Sequence, residues 1–270
     1  MLRRLNGLDF NVEIEGNGQP LLLLHGLTGS VRSWDEIQPQ LTELAQVIAV
    51  DLIGHGQSAS PPEVARYSLE ACAADLLTLL DELDIEQADV LGYSMGGRVA
   101  LHFTLQSPER VRRLVLESAS PGIEDATERQ RRVQSDDQLA QRILDHGIAA
   151  FVAEWEHQPL LAPAPHVPEA DRARQHVLRL ENDPQGLANS LRGMGAGQQT
   201  SLWTRLNELR MPVQLIVGAL DARYRRMGQR MHKLLPRSKL EEVPEAGHTV
   251  HVDQPRHVAR LLRTALLTTN

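Results

Sequence analysis

VLGYSMGGRVAL, residues 90–101, sets a single serine, Ser94, between Gly92 and Gly96, after an apolar run and before a helical pattern. A G-x-S-x-G pentapeptide carries meaning only in that setting. Its glycines let the backbone cross closely, and the strained strand-to-helix turn lifts the serine Oγ above the sheet edge. The N-terminus of the following helix adds free N–H groups and partial positive charge. Ser94 is thus a candidate nucleophile or base, and the bland alternative is a glycine-rich turn with an incidental serine.

The run that precedes Ser94 is one of several. LLLLHG (21–26), VIAVDL (47–52) and DVLGYS (89–94) alternate with helical patterns near 31–44 and 69–84. A helix from Ser94 to about Gln106 leads into RLVLESAS (113–120). Continuous apolar runs separated by helices predict βαβ units and a parallel sheet buried on both faces. From Pro121 to Ser201 the period is helical, a proline-rich LLAPAPHVP intervenes and no strand pattern appears. Strand patterns return in VQLIVGAL (213–220) and KLEEVP (239–244), around a helix containing RMGQRMHKLL and before a last helix, PRHVARLLRTAL. Residues 121–201 therefore read as a helical cap inserted after the strand at 113–120, on a core made of 1–120 and 202–270.

Composition excludes several classes. The 270 residues are 41% apolar and 23% charged, ordinary for a folded domain, with a net charge of −7 that argues against nucleic acid as a partner. Lys233 and Lys239 are the only lysines among 28 basic residues, so an anion would have to meet guanidinium groups. The lone Cys72 rules out an internal disulfide and suits a reducing compartment. MLRRLNGLDF lacks a following apolar stretch of signal length, and LLLL is too short to span a bilayer. The expectation is a cytoplasmic protein without a membrane partner.

A serine at such an elbow requires an acid and then a histidine, each after a later strand. Asp221 directly follows VQLIVGAL, and His248 in EAGHTVH follows the next strand. Asp253 is the nearest rival acid, but it comes after the histidine. The loop after the first run, His25-Gly26-Leu27, is placed to supply an oxyanion donor, so the backbone N–H groups of Leu27 and Met95 are the expected pair. His25 and His55 read as structural histidines held by loop backbone. His248 and His251 lack metal-ligand spacing, and neither a Walker loop nor a G-x-G-x-x-G motif follows the first strand, so neither metal nor nucleotide cofactor is implied.

HG in the first loop, DLIGHGQS, GYSMGG, the acid after VGAL and the late GH together resemble the α/β-hydrolase superfamily. That resemblance implies an α/β fold with a mostly parallel central sheet flanked by helices, and a broad repertoire of reactions. The stretch from ESASPGIEDATERQRR through FVAEWEHQPLLA, with LRGMGAGQQTSLW at 191–203, is similar to the 2-succinyl-6-hydroxy-2,4-cyclohexadiene-1-carboxylate synthases of menaquinone biosynthesis. That resemblance implies a lyase that eliminates pyruvate from a small polycarboxylate, with Ser94 acting as a base. Carried over position by position, it implies substrate contacts from Arg98, from Arg132 (with Arg129 one turn earlier as the alternative), from Trp155, from Arg179 and from the phenol of Tyr93. Guanidinium forks grip carboxylates bidentately, which suits such a substrate. Two other readings use the same residues: a serine hydrolase acting on an ester or on a C–C bond beside a carbonyl, and a small-molecule receptor that keeps the fold without turnover.

Overall fold

A computed structural model describes residues 1–267. Eight strands form one sheet: β1 (Leu2–Leu5), β2 (Leu8–Glu15), β3 (Gln19–Leu24), β4 (Ala45–Val50), β5 (Ala88–Tyr93), β6 (Val111–Glu117), β7 (Val213–Gly218) and β8 (Ser238–Val243). Their order across the sheet is β1-β2-β4-β3-β5-β6-β7-β8. Only β1–β2 and β2–β4 pair antiparallel, and every pairing from β4 to β8 is parallel. The parallel part of the sheet matches the expectation from the alternating runs, and the whole is the α/β-hydrolase fold that the resemblance implied.

Period-two geometry explains why the central strands read as unbroken apolar runs. Leu22 and Leu24 of β3 face one core with Ile48, Val50 and Val90, covered by α1 (Leu69–Glu82), α2 (Met95–Gln106) and part of α6 (Ala222–Leu234). Leu21 and Leu23 face the opposite core with Val47, Ala49 and Leu91, covered by Trp34, Ile37 and α8 (Pro255–Leu267). Between β6 and β7 lie α3 (Ala126–Trp155), α4 (Glu169–Leu180) and α5 (Pro184–Met194). Ala140, Ile143, Phe151 and Val152 of α3 pack on Leu187, Ala188 and Leu191 of α5 in a third apolar cluster of their own.

Two local features depart from the sequence reading. The helix expected at 31–44 is two short 3₁₀ helices, Val31–Trp34 and Gln38–Gln40. Pro39 has no N–H to donate back along an α-helix, and the Asp51 carboxylate holds the Val31 N–H at 2.6 Å, which favours tight turns over a continuous helix. The β1–β2 hairpin has no counterpart in the expectations above. Asn6 and Gly7, with φ of 45° and 84°, form its two-residue turn. Asn-Gly is the strongest short hairpin signal, so the cue was present.

Candidate active site

Parallel strands place their carboxyl ends, and hence the loops that follow, along one edge, where ligands of open α/β sheets bind. Ser94 follows β5 at φ 50° and ψ −105°, a conformation that costs a non-glycine residue strain. The elbow is close-packed: a Cβ at Gly92 would overlap the Gly96 carbonyl, and one at Gly96 would overlap the Leu24 carbonyl. The Ser94 hydroxyl does not cap α2, which leaves it free for another partner.

That partner is His248. Ser94 Oγ donates to His248 Nε2 at 3.1 Å, and His248 Nδ1 donates to Asp221 Oδ2 at 3.0 Å. The other oxygen of Asp221 accepts the Arg223 and Tyr224 N–H groups at 3.1 and 3.0 Å, so the carboxylate doubles as the N-cap of α6. Burial alone would raise the Asp221 carboxyl. The bonds from His248 and from the Tyr224 and Arg223 amides outweigh it and hold the group below its ordinary range. The Tyr224 ring lies 4.5 Å from the His248 ring, centroid to centroid, and adds an apolar wall. Asp253 takes no part: its oxygens accept the Ala164 N–H at 3.0 Å and the Gly247 N–H at 2.7 Å, tying two loops together.

Ser94 and His248 open into a cavity of about 300 Å³ also lined by Leu27 and Met95. Met95 opens α2, where helix geometry leaves the N–H without an intrahelical acceptor. Leu27 occupies the turn closed by Gly29 N–H to the Gly26 carbonyl. Four guanidinium groups, those of Arg98, Arg132, Arg142 and Arg223, line the cavity against one carboxylate, Asp136. Arg98 donates to the Met194 carbonyl at 2.5 Å and makes no ion pair among the described residues. Burial lowers its pKa to about 10, which leaves it charged at neutral pH. Arg132 Nε is held by Asp136 Oδ1 at 2.7 Å.

The match to a family model described as alpha/beta hydrolase fold covers residues 19–255. A Bacillus subtilis (strain 168) protein, provisionally named 2-succinyl-6-hydroxy-2,4-cyclohexadiene-1-carboxylate synthase, is 42% identical over 95% of this chain and 94% of its own. A protein of the same name from Serratia proteamaculans (strain 568) is 30% identical over 92% of each. The solved structure of MenH from S. aureus superposes with a TM-score of 0.90 at 30% identity, covering 95% of this chain and 97% of that one. The chain belongs to the 2-succinyl-6-hydroxy-2,4-cyclohexadiene-1-carboxylate synthases.

The residues carried over from that family do not all meet at the cavity. Arg98, Arg132 and Trp155 line it, whereas Arg129 turns aside to donate to the Ile123 carbonyl at 3.2 Å. Arg179 lies beside the cavity. It pairs with Glu156 at 2.7 Å and lines two neighbouring hollows, one with His157 and Arg172 and one with Tyr93 and Gly26. The hollow it shares with Tyr93 borders the Ser94 cavity, with Leu27, Trp155 and Leu161 lining both. Tyr93 lines the same hollow as Arg179: its hydroxyl bonds Thr249 Oγ1 at 2.8 Å and its ring packs between His248 and His251. Burial pushes that phenol up, and it stays neutral.

Among the lining residues that went unnoticed in the sequence are Arg142, Arg223 and Tyr224. Arg132, Asp136, Leu139 and Arg142 are spaced by three or four residues and share one face of α3, a period that points to Arg142 once Arg132 is chosen. Arg223 and Tyr224 follow directly from Asp221 serving as a helix cap. His25 and His55 are both buried and bound by loop backbone: His25 Nδ1 donates to the Gly26 carbonyl at 2.8 Å, and His55 Nδ1 to the Ile53 carbonyl at 3.0 Å. Among the described residues no helix is long and apolar enough to cross a membrane, and no group of three or more acidic, histidine or cysteine side chains could hold a metal ion.

Proposed function

We propose that Ser94, His248 and Asp221 perform the pyruvate elimination that yields the product for which the synthase family is named, with residues 121–201 as a cap over the cavity. The enzyme is a lyase of menaquinone biosynthesis, converting 2-succinyl-5-enolpyruvyl-6-hydroxy-3-cyclohexene-1-carboxylate to 2-succinyl-6-hydroxy-2,4-cyclohexadiene-1-carboxylate. The observation that carries the assignment of residues is the excess of four guanidinium groups over one carboxylate around Ser94, in a chain whose net charge is −7. The substrate brings three carboxylates, and such a field both attracts and orients them.

The base is Ser94 Oγ, which passes its own proton to His248 Nε2 as it takes the ring proton beside the succinyl carbonyl. The imidazolium so formed is stabilised by Asp221. Negative charge developing on the carbonyl oxygen meets the Leu27 and Met95 N–H groups. The C–H electron pair becomes one ring double bond, the existing double bond shifts by one position, and the ring C–O bond breaks. Enolpyruvate leaves and takes up a proton to become pyruvate. Arg98 and Arg132 hold carboxylates throughout, and the Trp155 and Tyr224 rings close the apolar sides.

Pyruvate release from the enolpyruvyl substrate, with nitrophenyl acetate hydrolysis as a control, tests this reading. Ser94→Ala and Arg98→Ala are each expected to cripple release while the wild type cleaves the ester poorly. Brisk ester turnover together with release at the uncatalysed rate would instead identify Ser94 as a hydrolase nucleophile.

A further inference from the structure

Glu117 closes β6 directly beside the elbow, its side chain is fully buried, and the mechanism above does not use it. Two of its atoms reach both halves of the site. The Glu117 backbone carbonyl accepts the Ser94 N–H at 2.9 Å. Its carboxylate Oε1 accepts both the backbone N–H of His251, at 3.0 Å, and His251 Nδ1, at 2.8 Å. His251 lies three residues beyond His248, and its ring is clamped between Trp34 and Tyr93 at centroid distances of 4.7 and 4.8 Å.

We infer that Glu117 is a positioning residue for the elimination: its carboxylate fixes the 248–251 segment, and so the His248 imidazole, relative to the Ser94 that its own carbonyl holds. The inference rests on the reading of Ser94 and His248 as the reacting pair. Burying a carboxylate is unfavourable unless it is well paired, and only one oxygen of Glu117 finds a partner among the described residues, the other being buried without one. An apolar side chain would fill this part of the core at less cost. A directional acceptor does what an apolar contact does not: together with the bonds from Tyr93 to Thr249 and from Ser94 Oγ to His248, it sets the distance between the elbow and the 248–251 segment. The link carries geometry, so its loss should appear in the chemical step more than in substrate capture.

The test compares Glu117→Gln, which keeps an oxygen acceptor of the same reach, with Glu117→Met, which removes it. Pyruvate release would be read alongside the rate at which a fluorophosphonate labels Ser94, a measure of serine activation that does not involve the substrate. Expected for Glu117→Met is a fall in kcat of about thirtyfold or more with KM within about threefold, and a parallel fall in labelling; Glu117→Gln should restore both to within about threefold of wild type. Should Glu117→Met fail to fold, His251→Leu makes the same comparison, since it removes the ring bond and keeps the backbone one. A wild-type kcat in the acceptor-free variant, a loss confined to KM, or a Gln variant as impaired as the Met variant would each overturn the inference. Ser94→Ala, run beside them, separates the two levels: activity surviving there defeats the reading of Ser94 itself, whereas an inactive Ser94→Ala with a fully active Glu117→Met defeats only the role of Glu117.

Discussion

Ser94 holds a backbone conformation that glycine adopts with less strain, and it keeps its place because Oγ meets His248 at 3.1 Å. Ser94→Gly should therefore lose pyruvate release by about a thousandfold and at the same time gain stability. Strain relief of about 1–3 kcal/mol exceeds the about 0.4–1 kcal/mol that glycine's freedom in the unfolded chain costs. Thermal melting beside the pyruvate assay checks this, and a lowered Tm would contradict the strain argument. Arg98 allows a second prediction. Lysine preserves the charge but not the planar fork, so Arg98→Lys should weaken substrate capture by about tenfold to a hundredfold in kcat/KM. Initial rates across substrate concentrations measure it, and an unchanged kcat/KM would show that Arg98 acts only as a point charge.

At the scale of elements, α3 presents Arg132, Asp136, Leu139 and Arg142 to the cavity from one face. Arg142 forms one ion pair, with Glu154 at 4.0 Å, and both side chains are more than half exposed, so the pair adds little to stability. Arg142→Ala should leave the melting temperature within about a degree while raising KM several-fold. A fall in stability without a kinetic effect would mean that its charge serves the helix and not the substrate. The stripe was legible in principle, since a three-and-four spacing is a local property of the chain. The segment 31–44 was legible only in part: its apolar spacing suits a helix and Pro39 is a local breaker, but the Asp51 carboxylate reaching Val31 comes from another strand end.

For the whole molecule, stability should depend on pH through two buried imidazoles. Burial lowers His25 to about 4; burial, with His25 beside it, lowers His55 to about 3, both from an ordinary value of 6.5. In the unfolded chain both groups bind protons below about pH 6.5, whereas in the fold they stay neutral until the pH approaches their lowered values. Their neutral burial therefore favours the fold above pH 6.5, and that advantage is lost as the pH falls from 6.5 toward 4. Each group contributes a slope approaching about 1.4 kcal/mol per pH unit once the unfolded imidazole is fully protonated. Urea melts at pH 7 and pH 5.5 should show the decline, and His55→Asn, which keeps a donor near the Nδ1 position, should flatten it. The same slope in that variant would place the proton uptake elsewhere.

Much of this molecule was determined along the chain. The elbow, the parallel strands and the order serine, acid, histidine depend on neighbour sterics and on which segments must be buried, and these are properties of short stretches. Ser94, Asp221 and His248, distant in sequence, then meet because parallel strands deliver their ends to one edge. What only the tertiary structure decided was the choice of partner for each long side chain. Arg179 turned to Glu156, Tyr93 to Thr249 and Arg129 to Ile123, while Arg142 and Arg223 came to face the cavity. A guanidinium or phenol reaches many places from one backbone position, and it settles where charges and acceptors from distant segments compete best. That competition is set by three-dimensional distances, which no local pattern encodes.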